Sequence, residues 1–112
     1  MTTRRSELGE LETLVLLAVL RLGDAATGRS VREEVATRGG RDLTRGALYA
    51  TISRLERKGF VDHSLSSPTP TPGGRAKRLF VVTESGMSAL RTSQRNLSRM
   101  RAGLESVLDP SG

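Results

Sequence analysis

The side chains with chemistry to offer in this chain are mostly arginines. Arg45, Arg54, Arg57, Arg75 and Arg78, with Lys58, Lys77 and the single tyrosine, Tyr49, all fall between Arg45 and Thr83. A guanidinium holds its donors in a planar fork that matches two phosphate oxygens or the O6/N7 edge of guanine, and a phenol can donate to a phosphate oxygen. No acidic residue lies between Ser64 and Thr83, and Gly73-Gly74 precede the cluster Arg75, Lys77, Arg78. A basic cluster on such a loop can follow a phosphate backbone or reach into a minor groove. The plain alternative is a solvated helix face followed by a soluble loop.

Other chemistries lack their residues. His63 is the only histidine, next to Asp62, and has no companion at metal-ligand spacing. Ser53 and Ser85 have no histidine near them in sequence, and no phosphate-cradling glycine loop of either common pattern occurs. Without cysteines there are no disulfides or thiolate metal sites, which fits a reducing compartment. Neither a catalytic group, a metal nor a cofactor is therefore expected.

The chain has 112 residues and a formal net charge of +6, with an isoelectric point near 11.2. That length suits one small domain, and that charge favours polyanionic partners. Five of the six excess positive charges fall within residues 40–78. The longest apolar stretch, Leu14 to Leu20, is too short to span a bilayer, and Glu7, Glu10 and Glu12 interrupt any leader beginning at Arg4-Arg5. A cytoplasmic protein with no membrane partner is the expectation.

The elements that must position the basic residues follow from spacing. Ser6 to Leu22 reads as a first helix capped by Ser6, with Leu8, Leu11, Val15, Ala18 and Leu22 on one face and Leu14, Leu17 and Leu20 widening it. So wide a face predicts packing on the chain's own domain on one side and on a partner on the other. A second helix starts at Thr27 or Gly28 and runs to about Arg38, with Val31 and Val35 inward. Thr44 caps a third, which runs to Lys58 and stops at Gly59, with Leu48, Ile52 and Leu55 inward. Tyr49, Ser53, Gly46, Arg57, Ala50 and Arg54 lie outside, and Tyr49 is expected to face solvent. The small side chains Gly46, Ala47 and Ala50 would let this helix approach the floor of a groove.

Phe60–Ser66 and Arg78–Thr83 read as two strands, joined by a loop in which Pro68, Pro70 and Pro72 forbid regular sheet. Thr83 then caps a last helix to about Leu108. Leu90, Leu97 and Leu104 recur every seven residues, with Ser93, Met100 and Val107 on the other seam position. A helix left over from a domain that already has a core predicts a homodimer, with Leu14, Leu17, Leu90, Leu97, Met100 and Leu104 at the interface. Two-fold symmetry would set two reading helices about 34 Å apart on one face of a duplex. Arg91, Arg95 and Arg99 form a stripe that reads as the solvated side of this helix.

The expected architecture is mostly α with a small β-hairpin: a winged helix-turn-helix domain over residues 1–83, then a dimerisation helix and tail over 84–112. Within it, Gly46-Ala47-Leu48-Tyr49, Arg54-Leu55-Glu56 and Gly59-Phe60-Val61 are similar to the recognition-helix signature of the PadR family of winged-helix transcriptional regulators. Gly74-Arg75, Lys77-Arg78 and Val82-Thr83 with Gly86 resemble its wing and the start of its last helix. The resemblance spans roughly residues 8–105 and points to the short kind with one C-terminal helix. It implies a homodimer that binds double-stranded DNA at a palindromic operator, usually as a repressor. Gly46, Ala47, Tyr49 and Ala50 would then face the DNA, beside Arg45 and Arg54, with Arg75 and Lys77 on the wing. Some members also bind small planar effectors at the dimer interface. This chain has no tryptophan to stack a flat ligand, has Arg29 where the family often carries an aromatic, and has a longer, proline-rich hairpin loop. A competing reading is a winged-helix interaction module whose basic face meets an acidic protein.

Overall fold

The computed structural model describes residues 7–65 and 77–109. Helix α1 spans Glu10–Leu22, and its cap is Gly9 in extended conformation. Glu12, three residues on, reaches back to accept the Gly9 N–H at 2.8 Å, so the helix starts later than expected. The proposed cap Ser6 lies outside the described residues. At the other end Gly23, with φ +55, turns the chain into one 3₁₀ turn, Gly23–Ala25.

Helix α2, Gly28–Thr37, is capped reciprocally: the Thr27 hydroxyl accepts from Ser30 N–H, and the Ser30 hydroxyl accepts from Thr27 N–H. Helix α3, Arg45–Arg57, is capped by the Thr44 hydroxyl, which accepts the Ala47 N–H at 3.0 Å. These threonines do what local chemistry requires, since the first N–H groups of a helix have no partner within it. Gly59, at φ +79, ends the helical path after Lys58.

Strands β1, Val61–Leu65, and β2, Arg78–Val82, pair antiparallel, with Val61 opposite Val82 and His63 opposite Phe80. The Phe80 N–H donates to the Ala26 carbonyl at 2.9 Å, pinning the hairpin root to the turn before α2. The core lies between these layers. Val15, Leu16 and Val19 of α1 meet Val31 and Val35 of α2, Leu48, Ile52 and Leu55 of α3, and Phe80 of β2. Thr51 is buried among them, its hydroxyl donating to the Ala47 carbonyl.

Helix α4, Glu84–Arg101, is capped by the Thr83 hydroxyl, which accepts from Gly86 N–H. It does not continue to Leu108. Gly103 adopts φ +87, and a separate short helix α5, Glu105–Leu108, follows with Leu104 as its cap. Glycine has no Cβ to penalise this left-handed conformation, so the chain turns there and the heptad seam ends at Met100. Leu104 and Val107 consequently leave the line of the helix.

Candidate nucleic-acid interface

α2, the turn at residues 38–44 and α3 form a helix-turn-helix held by the shared core. The turn is fixed by Leu43, which is buried, and by Arg32, whose Nε donates to the Leu43 carbonyl at 2.7 Å. α3 therefore presents a defined outer face. Arg45, Gly46, Ala50, Ser53, Arg54 and Arg57 are exposed on it, and Ala47 is half-buried. Gly46 and Ala50 leave room for a close approach, and Arg45 and Arg57 carry charge outward.

Two residues sit differently from the expectation. Tyr49 is half-buried rather than solvent-facing, with its hydroxyl against the Cα of Gly28 at the start of α2. A Cβ at Gly28 would collide with that hydroxyl, so the glycine is the receiving surface for the phenol. The guanidinium carbon of Arg45 stands 5.9 Å from the centre of the Tyr49 ring, within cation–π range. Arg54 is drawn backward: its Nη2 donates to the Thr51 hydroxyl at 3.2 Å, and its Nε lies 3.9 Å from the Glu12 carboxylate.

Of the wing residues, Arg75 lies outside the described residues. Lys77 and Arg78 are exposed at the start of β2. His63 Nδ1 meets the Glu56 carboxylate at 2.6 Å and its ring stands edge-on to Phe80 at 6.4 Å, a structural bond between α3 and the hairpin. Among the described residues no group of His, Cys, Asp or Glu is arranged to hold a metal ion, and no helix is long and apolar enough to cross a membrane.

The pairing of Glu12 with Lys58 escaped the sequence reading. The Glu12 side chain is only 7% exposed, and the Lys58 ammonium donates to both its oxygens at 2.9 Å and to the Glu7 carbonyl at 2.8 Å. Burial raises the carboxyl pKa, but the Gly9 N–H, the Lys58 ammonium and the Arg54 guanidinium outweigh it and hold the pKa below 4.5. The spacing Gly9-x-x-Glu12 signals a cap. Nothing local ties it to a lysine 46 residues away.

The residues expected at a dimer interface divide. Leu97 and Met100 are exposed on α4, at 45% and 75%, and Leu17 is exposed on α1. Leu14 is half-buried against the core, and Leu104 is exposed beyond the break. Leu90 is the correction: it is buried in the chain's own core and offers no surface to a partner. Beside α4 runs an open cleft of about 760 Å³, walled by Leu8, Phe60, Ala89, Leu97 and Met100, with Ser and Thr hydroxyls and Asn96 between them.

The transcriptional regulator PadR-like family model matches residues 16–92. Solved structures agree in fold. A PadR family regulator from hypervirulent Clostridium difficile superposes with a TM-score of 0.72 at 21% identity, covering 90% of this chain and 100% of that one. A PadR-like regulator from Bacillus cereus gives 0.70 at 14% identity, over 88% and 91%. The Bacillus subtilis PadR in complex with operator DNA gives 0.60 at 15% identity, over 76% of this chain and 46% of that one. Among curated proteins no sequence matches.

Proposed function

This chain belongs to the PadR-like family of transcriptional regulators, and from that premise we propose that it is a homodimeric DNA-binding repressor reading a palindromic operator in the cytoplasm. The outer face of α3 carries the proposal. Arg45, Gly46, Ala50, Ser53 and Arg57 are exposed there with no side-chain hydrogen bond into the described fold. A helix of this width enters a major groove of about 12 Å. Arg45 and Arg57 would contact phosphates or guanine, and Gly46, Ala47 and Ala50 the groove floor. Tyr49 supports the approach from behind, and Arg54 reaches DNA only by leaving Thr51. Arg75 and Lys77 extend the contact along the wing. The operator complex of the Bacillus subtilis neighbour supports this docking by likeness of fold.

The domain division follows: residues 1–83 bind DNA, and 84–112 carry the dimerisation helix and tail. Leu14, Leu17, Leu97 and Met100 form the interface, with Leu104 at its margin. What two copies leave of the cleft beside α4 is where a small-molecule effector would act.

Selection from a random duplex library tests the reading. The expected outcome is one inverted repeat, protected as a dimer footprint upstream of a regulated gene, with affinity falling steeply as salt rises. Arg45→Ala should weaken binding and lower the slope of log affinity against log salt by about 1 if the contact is to phosphate. Equal, weak binding to every duplex would reject the proposal.

A further inference from the structure

Three consecutive residues directly after α3 fasten it to both helices offered to a second copy. Lys58 is bonded to the Glu12 carboxylate of α1 and to the Glu7 carbonyl just before it. The Gly59 carbonyl accepts from the Thr83 hydroxyl at 2.6 Å, and the Phe60 carbonyl accepts from Thr83 N–H at 3.0 Å. Gly86, in the first turn of α4, lies so close to the Phe60 carbonyl that a Cβ there would collide with it. The fastening to α4 is made by main chain and one hydroxyl. The polar fastening to α1 is made by side chains: the Lys58 ammonium on the buried Glu12 carboxylate and the Glu7 carbonyl, with Arg54 nearby.

Most of the proposed reading face of α3, from Arg45 to Ala50, lies towards its other terminus; Arg57 stands beside the clamp. From Lys58 to Ala47 is on the order of 16 Å at 1.5 Å per residue. A few degrees of rotation at Lys58 therefore moves Arg45 and Gly46 by an ångström or more. In a dimer the same rotation, applied twice with opposite sense, changes the separation of the two reading ends. The clamp at residues 58–60 thus bears on distance between half-sites more than on contact within one.

We propose that Glu12 is a positioning residue: by clamping Lys58 it sets the angle of the recognition helix against the dimerising helices, and so sets the spacing between half-sites that the dimer accepts. This rests on the operator-binding reading above. Glu12 touches no DNA in the proposal; it acts through its bonded pair with Lys58, and the Arg54 guanidinium, 3.9 Å away, is a second and longer cationic contact. Its carboxylate is held ionised by the surrounding donors, so the clamp is closed at neutral pH.

The test uses the full chain and the inverted repeat it selects, rebuilt with the half-sites one or two base pairs closer or farther apart, and as a single half-site. For the unaltered protein, affinity should fall at each displaced spacing. For Glu12→Gln the preference for the native spacing over a displaced one should drop about fivefold, with single half-site affinity nearly unchanged. Equal loss on every duplex would mean Glu12 only supports the fold, and an unchanged spacing profile would mean the clamp does not set the angle. Either result overturns the proposal. Lys58→Arg keeps the charge pair and alters its length; if Glu12→Gln does not fold, an unchanged profile for Lys58→Arg overturns it instead, and a shifted or flattened one supports it. Failure of the unaltered chain to select any inverted repeat rejects the operator-binding reading itself, before either variant is made.

Discussion

Glu12 has left the water and stays charged because the Gly9 N–H and the Lys58 ammonium donate to it and the Arg54 guanidinium adds its charge nearby. Its folded pKa lies below the ordinary value of 4.5. Such a group contributes stability in full above about pH 4.5 and loses it as pH falls through the folded value. The melting temperature of the unaltered protein should therefore exceed that of Glu12→Gln near neutral pH, and the gap should close on acidification; a gap independent of pH would refute the linkage. Lys58→Met leaves the buried anion short of its main donor and should cost about 2 kcal/mol in urea denaturation, below the full cost of a broken buried pair because Lys58 is partly exposed. Gly28→Ala should cost about 1–3 kcal/mol by driving Tyr49 from its seat. Adding Tyr49→Ala should recover part of that loss, and strictly additive effects would show that the two residues do not compete for space. Apart from the Gly9–Glu12 cap, which local spacing signals, none of these contacts was legible in advance. Tyr49 falls on the polar side of α3, and only the tertiary approach of α2 shows that a missing Cβ at Gly28 receives it. Glu12 and Lys58 are joined by folding alone.

The elements were legible where their causes are local. Thr27, Thr44 and Thr83 cap the helices that the sequence predicts, because a hydroxyl satisfies orphan N–H groups wherever it precedes an apolar period. Two boundaries went astray because a stronger pattern hid a local signal. Ser6 outranked Gly9 as a cap by residue type, although Glu12 marks the true start. The heptad of Leu90, Leu97 and Leu104 ran across Ala102-Gly103, although glycine is the usual stop. α4 also depends on one close approach. Gly86→Ala should push its first turn off the Phe60 carbonyl and cost about 2–3 kcal/mol, since a backbone atom cannot turn aside. Hydrogen exchange should then rise first in α4; uniform acceleration across all helices would count against a local cause.

At the scale of the molecule, the mostly α, winged helix-turn-helix architecture was readable from apolar period and turn residues. Which leucines face outward was not, because periodicity does not distinguish a seam shared with a partner from one buried at home. Leu90 is buried while Leu97, two turns on, is open. If the proposed dimer uses this face, Leu97→Glu with Met100→Glu should turn it into a monomer in sedimentation equilibrium and lower affinity for the proposed operator in step; a dimer unchanged by both would place the interface elsewhere. The outer row of α3 has a further meaning. Arg45, Gly46, Ala50, Ser53 and Arg57 bear none of the side-chain hydrogen bonds that hold the described fold together, whereas the residues that grip α3 lie on its inner face and at its far end. On the proposed operator-binding reading, address and scaffold are thus recorded at separate positions. A duplicated copy could drift in that outer row towards a new operator without first losing its shape, and an engineer could rewrite the same five positions on an otherwise untouched chain.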